Sequence, residues 1–116
     1  MADPNPTGDT RLVSLDLPGA QAEILCRDLA SWIDSLDADL RTPERLKDPA
    51  WTRAEADACR RMLDGVEAGE VRAPDPEAAR FLRGAAEAHD RETDYVEVVA
   101  VHDAMHALLA PLESGR

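Results

Sequence analysis

Two histidines four residues apart, His102 and His106, carry the strongest chemical signal in the chain. They sit in YVEVVAVHDAMHALL, residues 95–109, where apolar residues recur at helical spacing. Side chains four apart on a helix are neighbours, so both rings can reach one metal ion. Zinc needs two more ligands. Cys26 and Cys59 fall on or near the inner faces of two other expected helices. His102, His106, Cys26 and Cys59 therefore form a conceivable zinc set. Against it, structural zinc cysteines usually come as close pairs, and these two lie far apart. A dinuclear iron or manganese centre needs inward glutamates and Glu-x-x-His motifs on facing helices. The nearest match is Asp103-x-x-His106, which occurs once, and Glu92 and Glu97 lie off the histidine stripe.

A catalytic histidine needs a nucleophile or an orienting carboxylate. Ser31 and Ser35 lie on an expected helix, not on a sharp turn. No GxSxG, HExxH or phosphate-cradling glycine loop occurs. The chain reads as a non-enzyme without a cofactor, with zinc as the alternative.

The plainer expectation is packing. On a helical wheel centred on His102, Tyr95, Val98, Val99, Met105, His106 and Leu109 fall within about 60°, and Asp103 lies about 100° round. Both rings are then directed at the core or at a second subunit, with ring nitrogens bonded to a carbonyl, a carboxylate or water. Imidazoles at an interface would charge on acidification, so a dimer would shift toward monomer between about pH 7.5 and about pH 5.5. His89, near the end of another helix, reads as a capping or packing residue.

The elements that must position these residues follow from the pattern of apolar positions. Residues 1–10 read as a disordered tail. RLVSLDLP alternates, with Val13, Leu15 and Leu17 on one side, and predicts a short strand. Its partner is either GEVRAP, residues 69–74, or the same segment of a second subunit. From residue 20 to about residue 40, Leu25, Leu29, Ile33 and Leu36 mark a helix stripe that also takes in Cys26 and Trp32.

Thr42-Pro43 reads as a cap and a single turn. A second helix begins between residues 49 and 53, either at Asp48-Pro49 or at a Thr52/Glu55 capping box, and stops at Gly69. Asp75-Pro76 opens a third helix with Ala78, Phe81, Leu82, Ala85 and His89 inward. A break near residues 91–94 separates it from a fourth, because the two stripes point in different directions. Pro111 is expected to end the ordered region, leaving 113–116 as a tail. Trp51 sits beside a helix start; an exposed Trp51 would mark a binding surface.

These 116 residues suffice for one domain, spanning 11–112. Hydrophobic residues make up 44%, aromatics only 3%, so the core must be aliphatic and alanine-rich, which favours helix. A net charge of −11 excludes nucleic acid, whose phosphates need a basic footprint, and an anionic membrane surface. No segment resembles a signal peptide or a membrane span. Unpaired cysteines fit a reducing compartment, so a cytoplasmic location is expected. Lys47 is the lone lysine among 13 basic residues, and this arginine and alanine bias suggests a GC-rich bacterial genome.

The expectation is therefore a mainly α fold, a small four-helix bundle-like domain with one short N-terminal β-strand. Its expected role is a protein–protein interaction or regulatory module. The partner is itself, as a homodimer, or another protein. The expected interface comprises Val13, Leu15, Leu17, Tyr95, His102 and Leu109.

Overall fold

The computed structural model describes residues 10–90 and 96–114. In chain order the elements are β1 (Arg11–Ser14), α1 (Gly19–Leu40), a 3-10 turn (Pro43–Arg45), α2 (Pro49–Ala68), β2 (Glu70–Ala73), α3 (Pro76–Asp90) and α4 (Val96–Ser114). The protein is mainly helical, with four helices and one two-stranded antiparallel sheet among the described residues.

The helix boundaries follow from local chemistry. Asp48 accepts the Trp51 amide at 3.1 Å and Pro49 takes the first helical position, so α2 starts there. The Thr52/Glu55 capping box is not used. Thr52 lies inside α2, and the Glu55 carboxylate binds the Trp32 indole N–H instead. Gly69 ends α2 in the left-handed region, at φ 79°, where glycine carries no Cβ strain.

Asp75 anchors three helices. Its carboxylate accepts the Ala78 amide at 3.2 Å and pairs with Arg61 of α2 at 3.0 Å. Its own amide donates to the Leu112 carbonyl of α4 at 2.9 Å.

β1 pairs with β2 in the register Val13↔Val71 and Leu12↔Arg72. The strand thus finds its partner within the chain, so a second subunit is not needed to complete the sheet. The fold has two strands where one was expected. The short run Glu70–Ala73 forms a strand because Val71 and Ala73 are buried while Glu70 and Arg72 face water.

The core is aliphatic: Leu25, Leu29, Met62, Leu82, Met105, Leu108 and Leu112 are all fully buried. Burying each such side chain contributes about 1.5–3 kcal/mol. α1 packs on α2 and α4, and α3 packs on the same two helices.

α3 and α4 are separate helices, and the segment expected to break them, residues 91–94, lies outside the described residues. Pro111 does not end the structure. It sits inside α4, which continues to Ser114. A proline here removes a single backbone bond in the last turn. The buried run Leu108, Leu109 and Leu112 keeps the helix against the core beyond it. Residues 113 and 114, expected in the tail, therefore belong to α4. The remaining expectations for the tails, residues 1–9 and 115–116, fall outside the described residues.

Candidate functional site

α4 buries Val101, Ala104, Met105, Leu108 and Leu112. The middle of that face lies about 90° round the helix from His102 and further still from His106. His102 is therefore at the edge of the buried face, its side chain 29% exposed, and His106 is exposed. Of the two directions expected for the rings, the core or a second subunit, the core is not the one they take. The helix is apolar almost all round, so two faces competed. Valine, leucine and methionine lose nothing by leaving water, whereas imidazole nitrogens need partners.

The two rings still touch, with centroids 4.3 Å apart in an edge-on arrangement. The Asp103 carboxylate comes within 3.6 Å of His102 Nδ1, although it leaves the helix on a different side.

The proposed zinc set does not come together. Among the described residues no group of three or more His, Cys, Asp or Glu side chains could hold a metal ion. Cys59 is fully buried and its thiol is pushed up to about 12, chiefly by burial and then by the nearby Glu55 carboxylate. Cys26 is half-buried, and its thiol is likewise raised, by burial and then by Glu67. Both are free.

Of the expected interface residues, Leu109 is buried in the core. Val13, Leu15 and Leu17 are half-buried and pack against that core. Tyr95 lies outside the described residues, as does the side chain of His89. Leu12, on the opposite face of β1, is the exposed one, at 55%.

A different cluster has the makings of a site. Trp51 opens α2 and is 45% exposed. Its ring meets Phe81 of α3 edge-on, with centroids 5.0 Å apart. The Arg80 guanidinium stacks 4.5 Å above the Trp51 ring and 5.3 Å from that of Phe81. Across from them, Trp32 of α1 donates its indole N–H to Glu55 Oε2 at 2.7 Å.

Trp32, Trp51, Glu55, Arg80, Phe81, Gly84 and Ala85 line a shallow groove. Among the described residues neither Arg80 nor Glu55 has an ion-pair partner. Exposed aromatic rings beside an arginine and a carboxylate suit a protein contact, since tryptophan and arginine contribute most per residue at such surfaces.

Arg80 and Gly84 were not singled out from sequence, and Glu55 was read there as one half of a capping box. One signal was available: Gly84 interrupts a helical run without ending it.

Compared with family models, curated proteins and solved structures, the chain has no match. No helix among the described residues is long and apolar enough to cross a membrane.

Proposed function

We propose that the protein is a small acidic interaction module of four-helix bundle-like build, which acts by binding another protein chain at the Trp51 groove. The observation that carries this reading is the indole of Trp51, 45% exposed yet held between Phe81 and Arg80. An aromatic side chain ordered before binding loses little freedom on contact. The contacts of α1 and α3 with α2 and α4 support the bundle-like arrangement.

The test is native mass spectrometry of the natural chain purified gently from the cells that make it. A complex with a second protein is expected, and Trp51→Ala should abolish it while leaving the melting temperature within a few degrees. A complex that survives Trp51→Ala unchanged would remove the reading.

A second copy of the chain is a further reading, and one observation favours it. The Leu15 amide donates to the Gly69 carbonyl at 2.8 Å. By the alternation of antiparallel pairs, Leu12 and Ser14 then direct their backbone groups away from β2, toward an open edge beside the exposed Leu12 side chain. A mass of two chains, lost in Leu12→Pro, would support it. A single-chain mass at tens of micromolar would exclude it.

A further inference from the structure

The groove at Trp51 is one end of a longer seam. A second depression shares Trp32 and Ala85 with it and continues over Ser31, Ser35, Ala88 and Met105. A third shares Asp28 and Ser31 with the second and reaches Ile24 and Val101. On the α1 side the seam runs from Ile24 to Ser35, about 16 Å or three helical turns. Its small and apolar lining residues include Gly84, Ala85, Ala88, Met105 and Val101.

Two further observations bear on what fits there. Gly84 lies in the interior of α3, where glycine costs about 0.5–1 kcal/mol relative to alanine. Its φ is not positive, and a methyl group added there would meet nothing within 4 Å. No contact among the described residues therefore requires glycine at this position, and a larger side chain there would alter the groove that Gly84 lines. The second observation is charge. Glu55 has one oxygen engaged with Trp32 and no ion-pair partner among the described residues; Arg27 and Arg80 line the seam alongside Asp28 and Glu55, and the whole chain carries −11. The field favours a cationic partner on approach.

We infer that the seam between α1 and α3 binds a basic amphipathic helix of a partner protein. Its apolar side chains lie over Gly84 and Ala85 between the two tryptophans, and a lysine or arginine pairs with Glu55. Arg80 takes the part of a wall, its guanidinium spread over the rings of Trp51 and Phe81. This inference rests on the reading of the Trp51 groove as an interaction surface and adds the class of partner.

The chain has two tryptophans, Trp32 and Trp51, and both line the groove, so intrinsic fluorescence reports on it directly. The probes are an amphipathic Leu–Lys helical peptide and its Leu–Glu counterpart, titrated into the natural protein and into Gly84→Leu and Glu55→Gln. The Leu–Lys peptide should shift the emission. Gly84→Leu, which leaves the charge unaltered and should melt no lower than the natural chain, should weaken binding at least about tenfold. Glu55→Gln keeps an acceptor for Trp32 but should weaken binding severalfold and flatten its dependence on salt.

A Gly84-sensitive response to the Leu–Glu peptide alone would overturn the basic class of partner and leave the interaction surface standing. Leu–Lys binding indifferent to Gly84→Leu, or no response to either peptide, would overturn the seam as a helix site. The interaction reading would then be judged by Trp51→Ala against the natural partner.

Discussion

Gly65 and Gly84 are both glycines in helix interiors, and their surroundings are opposite. A methyl group at Gly65 would collide with the Val71 side chain and sit 3.1 Å from the Glu70 carbonyl oxygen. At Gly84 it would meet empty space. Glycine costs a helix about the same in both places, near 0.5–1 kcal/mol. At Gly65 the compensation is visible, because β2 lies directly on α2 and Val71 is buried there. At Gly84 nothing among the described residues offsets the cost. A closed seam explains its glycine by packing; an open seam leaves its glycine to be explained by something that arrives.

The contrast can be tested from the core outward. Leu82, two residues before Gly84 on α3, is fully buried. Leu82→Ala should cost about 2–5 kcal/mol in denaturant unfolding, through lost transfer energy and the cavity left behind. A cost under about 1 kcal/mol would mean that α3 is not packed as described, and the open seam would lose its meaning.

The buried face of α2 should also be sensitive to alkali. The Cys59 thiol titrates at about 12 in the folded protein, against about 8.5 in an unfolded chain. Below the unfolded value both states hold the proton and stability is unaffected. Above it the unfolded chain releases the proton and the folded one does not, so stability falls with rising pH until the folded thiol also ionises. The loss is about 1.4 kcal/mol per pH unit and about 4 kcal/mol by pH 12. Comparing the natural chain with Cys59→Ala isolates this part from other alkaline titrations. Parallel stability curves for the two would place water at Cys59 and mean that α2 is not packed on the core as described.

The glycines themselves come next. Gly65→Ala should destabilise by about 1–3 kcal/mol, because β2 must move away from α2. Gly84→Ala should stabilise by about 0.5–1 kcal/mol, because α3 gains a helix former and displaces nothing. The two melting shifts should therefore have opposite signs. Shifts of the same sign would break the comparison on which the open seam rests.

All four helices were legible in sequence, and three of them in orientation as well, for a common reason. In α1, Leu25, Leu29, Ile33 and Leu36 stand opposite a face of aspartates and serines, so one stripe alone can be buried. The capping signals at Asp48-Pro49, Gly69 and Asp75-Pro76 were equally direct, because each supplies a missing hydrogen-bond partner or a required backbone angle.

α4 was legible as a helix but not in its orientation. With Val98, Val99, Val101, Ala104, Met105, Leu108 and Leu109 spread around it, the expected stripe centred on His102 is apolar, and so is the buried one centred between Val101 and Met105. The groove was hardly legible at all. Trp32, Trp51 and Phe81 come from three helices, and no spacing along the chain reports a contact across helices. Trp51 alone carried a condition, exposure, that the fold then met.

The smallest expected effect belongs to the residues with the loudest sequence signal. His106 is exposed, and its ring leans on His102 without entering the core. His106→Ala should change stability by no more than about 0.5 kcal/mol, as exposed substitutions do. Met105, the residue before it, is fully buried, and Met105→Ala should cost about 2–5 kcal/mol. The ratio between these neighbours measures the phase of α4 on the core. If His106→Ala proved the costlier of the two, α4 would be rotated by about a quarter turn or more. The histidines would then face the core, Val101 would leave the wall of the seam, and the groove would close at that end.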